Sequence, residues 1–359
     1  MIPGDIGAEI ARVLRAGTAS GEWPGLAADV SAAGTWRPAP AAISTGPGSY
    51  ATSLPLALGR LAERPAATVA AALAASLTGV PWISAARVTG DGYLTVTVTP
   101  DALASLAVRV SQAGLACARS DALGGQRVSA PPEADLATAA TWAQAHERLT
   151  AAVSVRLAEA AGAEVANHQD GERMVGTTAT GLARPGPAGL AMAFAGADAV
   201  RYALARIPPG QAVMIDAGQS VQHVLGNPFY AVSFAHADAS ATLCRAAGLG
   251  LCRAEPAGFR PRSLACRDEL TLLGAISWLP ERVAGAARRR HPHELTRYLE
   301  ELAGAYLDVR ETCPALPSGG LAAPRDIATA SARLWLADAA RTALGAGLTL
   351  LGVSAPGRP

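Results

Sequence analysis

Lysine is absent from this sequence of 359 residues, so all 30 of its basic residues are arginine. A mechanism that depends on the compact, mobile ammonium group of lysine is therefore excluded for this chain. The 29 acidic residues reduce the formal net charge to +1. The overall charge consequently gives no indication of a nucleic-acid partner.

Metal-binding and disulfide patterns are also absent from the sequence. The cysteine spacings match no zinc motif and no Cys-x-x-Cys pair, and an odd number of cysteines argues against a complete disulfide framework. His168 has no second cluster of metal-ligand residues beside it. We therefore predict no metal site. We interpret the five cysteines as thiols that are buried or have no chemical role: Cys117, Cys244, Cys252, Cys266 and Cys313.

Long hydrophobic runs are lacking too. The alanine-rich run at residues 69–77 ends well before the length of about 20 residues that a transmembrane helix needs. The first residues show no basic segment followed by an apolar one, which is the pattern of a secretory signal. Half of the residues are hydrophobic and 16% are charged, a balance typical of globular proteins. We therefore expect a cytoplasmic protein.

The periodicity of apolar residues divides the chain into an α/β part and a helical part. The first part is predicted to contain a helix around residues 6–14, a loop at residues 44–50, helices from Thr52 to Leu61 and from Pro65, and a strand at Tyr93–Val98. Next come a helix at residues 142–161 and a loop or linker at residues 176–189. From about residue 195 only helical patterns follow, which predicts an all-α bundle.

Segments of the C-terminal part resemble arginyl-tRNA synthetases. Residues 196–204 (GADAVRYAL) look like the Asp-Ala-Leu-Arg motif that gives the DALR anticodon-binding domain its name. Residues 227–237 (NPFYAVSFAHA) are similar to the Asn-Pro-Val-Tyr-Tyr-Val-Gln-Tyr-Ala-His-Ala segment of these enzymes. Residues 292–303 resemble the helix that precedes a cysteine in the family, here Cys313, and residues 332–356 resemble its closing helix and tail.

The N-terminal part carries a further resemblance to the same family, because residues 50–58 and 92–94 look like its appended tRNA-binding domain. The resemblance implies an α+β N-terminal domain and a reduced α/β remnant, followed by an all-α helical bundle of the class I synthetase anticodon-binding type. The implied domains are residues 1–110 (tRNA-binding-like), 125–195 (degenerate remnant of the nucleotide-binding fold plus linker) and 196–359 (DALR-type).

The departures from the family concern the catalytic signatures. The chain contains no His-x-Gly-His turn, and the nearest remnant is residues 143–146 (AQAH), which ends at His146. The lysine loop that neutralises pyrophosphate charge cannot exist in a chain without lysine. The stretch at residues 165–196 is also too short for the rest of a catalytic domain. We therefore predict no catalytic residues, no aminoacylation and no cofactor; ATP would bind only if the chain were a reduced ligase using His146.

The resemblance implies an RNA-binding role for residues on several of the C-terminal helices. They are Asn227, Tyr230, His236, Arg288, Arg289, Arg290, Arg333, Trp335 and Arg341. Guanidinium groups match phosphate oxygens, and an exposed aromatic ring stacks on unpaired bases. Structural alternatives remain for each type of residue. Asn227 suits a helix cap, the run of three arginines suits a solvated face, and Trp335 suits a core. Asp198 and Arg201 favour an ion pair on one helical face.

Three functions therefore remain open. The first is a module that binds tRNA, with arginine tRNA favoured, and performs no covalent chemistry. The second is a reduced arginine–tRNA ligase that still activates arginine with ATP. The third is a protein–protein module that docks on a partner such as an active synthetase, which the near-neutral charge and alanine-rich composition favour.

Overall fold

The computed structural model describes residues 2–19, 38–40, 46–131, 135–166, 184–316 and 324–355. None of the helices in these ranges combines the length and the apolar character that crossing a membrane requires. Most of the predicted linker, together with His168, lies outside the described residues, as do residues 44 and 45 of the predicted loop.

The described ranges contain fourteen α-helices and six strands. The helices are α1 (Ile2–Ala19), α2 (Leu54–Leu61), α3 (Ala66–Leu77), α4 (Pro100–Ala104), α5 (Leu106–Ala113), α6 (Trp142–Ala160), α7 (Pro187–Ala195), α8 (Ala197–Ala205), α9 (Ala217–Ser220), α10 (Pro228–Gly248), α11 (Arg267–Ser277), α12 (Leu279–Arg289), α13 (Pro292–Thr312) and α14 (Pro324–Leu351). The strands are β1 (Pro38–Pro40), β2 (Ser49–Thr52), β3 (Ile83–Thr89), β4 (Tyr93–Val98), β5 (Arg127–Ser129) and β6 (Glu164–Ala166).

The chain divides into two compact units, and each unit combines segments that are far apart in sequence. The first unit consists of Met1–Arg109, Arg253–Trp278 and Thr312–Leu336. The second unit consists of Val110–Cys252, Leu279–Glu311 and Ala337–Pro359. The three domains predicted from the sequence are segments that resemble domains of a known family, whereas the two units are defined by compactness. The three-domain division therefore stays a prediction.

The first unit contains a four-stranded antiparallel sheet in the order β1-β2-β4-β3. The predicted strand at Tyr93–Val98 is confirmed as β4, and its Leu94, Val96 and Val98 are buried. The loop predicted up to residue 50 is wrong at its end, because Ser49 and Tyr50 begin β2 and pair with β4. A strand of four residues is too short to show an alternation of apolar and polar side chains. β2 is instead defined by its pairing with β4, which is distant in the sequence.

The predicted helices of the first unit are confirmed as α1, α2 and α3. Ile6, Ile10 and Leu14 of α1 are fully buried, and α1 packs against α3. Gly92, in the turn between β3 and β4, has a positive φ of 116°. A Cβ atom at Gly92 would lie 2.6 Å from the Cβ of Ala66. Glycine is therefore required where this turn approaches the start of α3.

Helix α11 belongs to the first unit although it is remote in sequence from the sheet. The hydroxyl groups of Tyr50 and Ser277 lie 2.8 Å apart in a buried hydrogen bond. The ring of Tyr50 also contacts Trp278, with 5.3 Å between the ring centroids. These contacts attach the C-terminal end of α11 to β2.

The second unit contains the parallel strand pair of β5 and β6, with α6 connecting the two strands. Parallel strands need such a crossover connection. The helix predicted at residues 142–161 is confirmed as α6, with Leu149, Val153 and Leu157 buried. The predicted linker is wrong at its end, because α7 begins at Pro187. Proline suits the first turn of a helix, so the Gly/Pro-rich pattern concealed a helix start.

The remainder of the chain is helical. Among the residues described after position 195, no strand interrupts the helices, so the prediction of an all-α C-terminal part is confirmed. Leu295, Leu299, Leu302 and Tyr306 of α13 are buried along one face, as their spacing predicts. A Cβ atom at Gly347 of α14 would overlap the side chain of Leu299. The close packing of α13 on α14 therefore depends on glycine at this position.

Candidate nucleic-acid interface

The N-terminal end of α10 is fixed by Asn227. Its Oδ1 accepts a hydrogen bond from the backbone N–H of Phe229 at 3.2 Å. Its Nδ2 lies 3.3, 3.1 and 2.9 Å from the carbonyl oxygens of Gln219, Ser220 and Gln222. The side chain of Asn227 is therefore occupied in capping the helix and holding the preceding loop. Its structural role is clear, and it positions the residues that follow.

Three aromatic rings stack along the exposed side of this helix start. The rings of His223 and Tyr230 have centroids 5.2 Å apart and an interplanar angle of 12°. The rings of Tyr230 and Phe234 have centroids 5.7 Å apart and an angle of 24°. His223 is exposed, whereas Tyr230 and Phe234 are half-buried. We call His223, Tyr230 and Phe234 the aromatic stack.

The aromatic stack lines a groove of about 510 Å³, which we call the α10 groove. Its wall consists of Ala195, Asp198, Ala199, Ser220, Val221, His223, Asn227, Phe229, Tyr230, Ser233, Phe234, Ala237 and Ser354. The Oγ of Ser233 is buried and has no hydrogen-bond partner. Flat apolar walls with a few polar groups are typical of sites that take a planar, partly polar ligand.

Arg310 of α13 completes one end of the aromatic stack. Its guanidinium carbon lies 5.6 Å from the centroid of the Phe234 ring. Its Nε lies 3.0 Å from Oδ2 of Asp238, a carboxylate that is 6% exposed. The hydroxyl of Tyr306 donates to the same oxygen at 2.9 Å. Burial, followed by the charge of Asp238, raises the pKa of Tyr306, so this hydroxyl stays protonated and remains a donor.

The run of Arg288, Arg289 and Arg290 lies at the C-terminal end of α12, and all three residues are exposed. Positive charge is favourable at this end of a helix. The Nε of Arg289 donates to Glu294 at 2.6 Å, and its Nη2 binds the second oxygen of the same carboxylate. Arg290 has a positive φ of 56° and ends the helix in the left-handed conformation that glycine usually adopts.

Next to this run, His291, His293 and Glu294 form a cluster that the sequence did not predict. Their ligand atoms lie within 4.8 Å of one another, and the Nδ1 of His293 is buried without a hydrogen-bond partner. Burial, then the neighbouring His291, lowers the pKa of His293. A divalent metal ion would have to share Glu294 with Arg289, because that guanidinium donates hydrogen bonds to both oxygens of the carboxylate.

His236 is buried, with 6% of its surface exposed. A Cβ atom at Gly345 of α14 would lie 3.2 Å from the Nε2 of His236. The imidazole therefore packs directly against the backbone of α14. Arg341 of the same helix lies at the surface and pairs with the buried Asp338, with 2.6 Å between Nη2 and Oδ1. Neither residue lines the α10 groove.

Trp335 and Arg333 belong to the first unit, whereas the other predicted site residues belong to the second. The ring of Trp335 is 6% exposed, and its Nε1 donates to the carbonyl of Ala254 at 3.0 Å. The Nε of Arg333 lies 2.7 Å from Oε1 of Glu269, which is almost completely buried. Both residues therefore stabilise the interior of the first unit.

The predicted pair of Asp198 and Arg201 is present, with 3.4 Å between Oδ1 and Nη1. The second oxygen of Asp198 accepts from the backbone N–H of Ser354 at 3.2 Å. His146, on the second turn of α6, has its Nε2 3.2 Å from the carbonyl oxygen of Ile207. A carbonyl oxygen only accepts, so the Nε2 of His146 is the donor in this hydrogen bond. His146 therefore attaches α6 to the segment after α8.

Sequence reasoning missed His223 as a neighbour of Tyr230 and Arg310 as a neighbour of Phe234. His223 lies in a loop that has no periodicity, so no pattern could place it. Arg310 follows Tyr306 by four residues and therefore shares its helical face. That spacing was visible, but its partners, Asp238 and Phe234, lie on another helix.

Comparison with known proteins identifies a domain family and a set of similar enzymes. Residues 255–358 match the family model described as the DALR anticodon binding domain. The chain is 40% identical to the arginine–tRNA ligase of Clavibacter sepedonicus over 163 residues. This alignment covers 45% of this chain and 28% of that protein. It is 41% identical over 163 residues to the arginine–tRNA ligase of Micrococcus luteus, covering 45% of this chain and 29% of the relative.

The similarity is confined to part of each protein. The chain spans less than a third of the length of the curated relatives it matches. A solved structure of a putative arginyl-tRNA synthetase from Campylobacter jejuni aligns with a TM-score of 0.41 and 15% identity, covering 60% of this chain and 44% of that one. The chain is thus homologous to arginine–tRNA ligases over its C-terminal part, and it carries a helical DALR-type segment.

Proposed function

We propose that this protein binds tRNA in the cytoplasm, with arginine tRNA favoured, and that it does not aminoacylate the tRNA. The observation that carries this proposal is the match of residues 255–358 to the DALR anticodon binding domain. The aligned relatives are named arginine–tRNA ligases, which favours arginine tRNA among the tRNA species. The DALR match concerns a domain for recognising RNA rather than the chemistry of ligation.

The α10 groove supplies the chemistry for contacting unpaired bases. Tyr230 offers a ring that is flanked by His223 and Phe234, and Arg310 adds a cation at the end of the stack. Unpaired RNA bases stack on aromatic rings and on guanidinium planes. Such stacking contributes about 1–3 kcal/mol per base. The unsatisfied Oγ of Ser233 provides a polar group for a base edge.

The exposed arginines at the end of α12 supply contacts to phosphate. Arg290 projects from a left-handed helix end, and Arg289 is already oriented by Glu294. Arginine contacts to phosphate position an RNA without reading its sequence, and salt weakens them. Arg341 has the exposure to take part in the same way.

Three of the residues predicted to contact RNA are not included in the proposal. Trp335 and His236 are each 6% exposed, so their rings offer no face to an unpaired base. Arg333 also pairs with a buried carboxylate, and we assign it a structural role. The remaining predicted residues, led by Tyr230, form the proposed RNA surface together with Arg310, which the sequence did not predict.

The absence of aminoacylation is supported by the chain's own residues. No lysine is present to stabilise developing pyrophosphate charge, and no His-x-Gly-His turn exists. His146, the one histidine at the corresponding place, is bonded to the carbonyl of Ile207. We therefore infer that ATP is not a ligand of this chain.

A second candidate function is supported by the names of the relatives, which are ligases. In that case the chain would activate arginine with ATP despite its reduced length. ATP–pyrophosphate exchange with arginine, measured with and without tRNA beside an authentic synthetase, separates the two. Exchange above background would replace our proposal, and a rate at background would end the ligase alternative.

A third candidate is docking on a protein partner such as an active synthetase. Among the described residues of the second unit, seven large apolar side chains are each more than half exposed: Leu115, Leu190, Phe194, Met214, Val224, Leu225 and Leu249. Exposed apolar side chains mark an interaction surface when they form a contiguous patch. Co-purification of a stoichiometric partner without RNA would favour this function, and a monomer alone in lysate would count against it.

The decisive experiment is binding of the purified protein to total tRNA at low and moderate salt, followed by sequencing of the retained RNA. We expect retention at low salt, weaker retention at moderate salt, and enrichment of arginine tRNAs. Failure to retain any tRNA at low salt would overturn the proposal. Retention without enrichment would keep tRNA binding and remove the preference for arginine tRNA.

A further inference from the structure

Two cysteines that are far apart in sequence meet in the first unit. Cys266 immediately precedes α11, and Cys313 immediately follows α13. The side chains of Cys313 and Cys266 are neighbours. Cys313 is buried, whereas Cys266 is half-buried and can be reached from solvent. Sequence spacing gave no indication of this pair, because the chain between the two residues includes α11, α12 and α13.

A network of polar contacts holds the backbone on both sides of this pair. The backbone N–H of Cys266 donates to Oε2 of Glu269 at 2.9 Å. The other oxygen of Glu269 accepts from Nε of Arg333 at 2.7 Å, and Nη1 of Arg333 donates to the carbonyl of Pro314 at 3.0 Å. Pro314 follows Cys313 directly. The network therefore connects the two cysteine backbones and keeps the sulfur atoms as neighbours.

We propose that Cys266 and Cys313 are a modification site, at which a peroxide oxidant forms a reversible intramolecular disulfide. A disulfide needs two sulfur atoms that approach to bonding distance without a large backbone movement. The network through Glu269 and Arg333 holds the backbone beside each cysteine, and the two side chains are neighbours, which favours this approach. This inference is independent of RNA binding.

The chemistry assigns a separate step to each cysteine. Cys266, as the accessible thiol, loses its proton and attacks one oxygen of hydrogen peroxide, which gives a sulfenic acid and releases water. The sulfur of Cys313 then attacks the sulfenic sulfur, the S–O bond breaks, and the departing hydroxide takes the proton of Cys313 as a second water. Two thiols thus give two electrons to one peroxide.

The protonation of Cys313 sets the order of the two steps. Burial, followed by the neighbouring Cys266 side chain, raises the pKa of the Cys313 thiol to about 11. Cys313 therefore keeps its proton at neutral pH and does not react directly with an oxidant in solution. Its reaction depends on prior oxidation of Cys266, which favours the intramolecular bond over random oxidation.

The chain supplies its own controls. Cys244 and Cys252 are exposed, so a peroxide in solution reaches them at least as easily as it reaches Cys266. Cys117 is buried, and burial raises the pKa of its thiol to about 12. If accessibility alone decided reactivity, Cys244 and Cys252 would be modified first and Cys313 would remain a thiol.

The test is to treat the reduced full chain with equimolar hydrogen peroxide, block remaining thiols under denaturing conditions, digest with trypsin and analyse the peptides by mass spectrometry. Cleavage after arginine places Cys266 in residues 263–267 and Cys313 in residues 311–325. We expect these two peptides joined, with both released by dithiothreitol. If both are recovered fully blocked while Cys244 and Cys252 are oxidised, the proposal is wrong.

Variants separate a specific pair from general oxidation. Cys266→Ser keeps a residue suited to a helix cap and is expected to fold. It should abolish the joined peptide and leave Cys313 as a thiol after peroxide treatment. The matched Cys244→Ser/Cys252→Ser double variant should form the joined peptide as the unaltered chain does. Loss of the bond in this double variant, or its formation only after unfolding in urea, would overturn the proposal.

Discussion

Each compact unit places an arginine over an aromatic ring, but the two arrangements differ in their exposure. In the first unit, the guanidinium of Arg253 lies 4.5 Å from the ring centroid of Trp335, and that ring is buried. In the second unit, Arg310 lies 5.6 Å from the ring of Phe234, at the end of a stack that reaches solvent. The aromatic ring therefore belongs to the core in the first unit and to the surface in the second.

The carboxylates extend this comparison. Glu269 in the first unit and Asp238 in the second are both buried, and each pairs with an arginine. Arg333 is mostly covered, whereas Arg310 keeps 44% of its side chain exposed. Burying a carboxylate is costly unless it is paired, so both pairs are needed for stability. Only the pair at Asp238 also presents a cation to a ligand.

The largest expected effect on the free energy of unfolding comes from removing the buried ring of Trp335 in the first unit. Trp335→Ala should lower the free energy of unfolding by about 3–5 kcal/mol, because it removes a buried ring and leaves a cavity. Urea denaturation followed by circular dichroism measures this. Trp335→Phe keeps a ring but leaves the carbonyl of Ala254 unpaired, and it should cost about 1–3 kcal/mol. A Trp335→Ala chain of unchanged stability would show that the ring is not part of the core.

The next effect distinguishes the two roles of Asp238. Asp238→Asn should lower the free energy of unfolding by about 1.5–3 kcal/mol, because it weakens the charged hydrogen bonds to Arg310 and Tyr306. It should also weaken tRNA binding, since Arg310 loses its fixed position. Glu269→Gln is the matched control, because Glu269 is also buried and pairs with Arg333, to which we assign a structural role. Equal losses of binding in both variants would contradict a specific role for Arg310.

A smaller effect on stability and a clear effect on binding are expected at the open stack. Tyr230→Ala should reduce tRNA affinity by about 1–3 kcal/mol while changing the free energy of unfolding much less than Trp335→Ala does. Filter binding at low salt measures the affinity. Phe194→Ala serves as the control, because Phe194 is an aromatic ring that is 67% exposed on α7 and does not line the α10 groove. Unchanged affinity in Tyr230→Ala would remove the α10 groove from the proposed RNA surface.

The smallest effect is expected at Arg290, where one substitution should raise the free energy of unfolding and weaken tRNA binding. Arg290→Gly relieves a left-handed conformation at the end of α12 and should raise the free energy of unfolding by about 0.5–1 kcal/mol. It removes one phosphate contact, which should reduce the slope of log affinity against log salt by about 1. An unchanged salt slope would assign Arg290 to a solvated face.

Periodic elements could be predicted from the sequence because the information lies within one segment. The apolar stripe of α13 and the alternation of β4 are local, and both are confirmed. β3 was not predicted, because most of its residues are not buried and it contains Ala85 and Ala86 rather than alternating large side chains. β5 and β6 have three residues each, which is too short for any period to show.

The site was predictable in part. The motif around Asn227 and Tyr230 identified the helix that lines the α10 groove, and the capping role of Asn227 followed from its position before proline. The burial of Trp335 could not be derived from its own segment. Its environment is made by Arg253 and Ala254, which lie about 80 residues earlier in the chain.

The alternation of segments between the two units has a consequence for biosynthesis. The chain passes from one unit to the other five times, and each unit takes its last segment from the region of α14. A nascent chain that ends before α14 therefore leaves both cores incomplete and their apolar faces accessible to chaperones and proteases. We expect both units to acquire protease resistance only when α14 has left the ribosome, so the two units mature late and together rather than in order of synthesis.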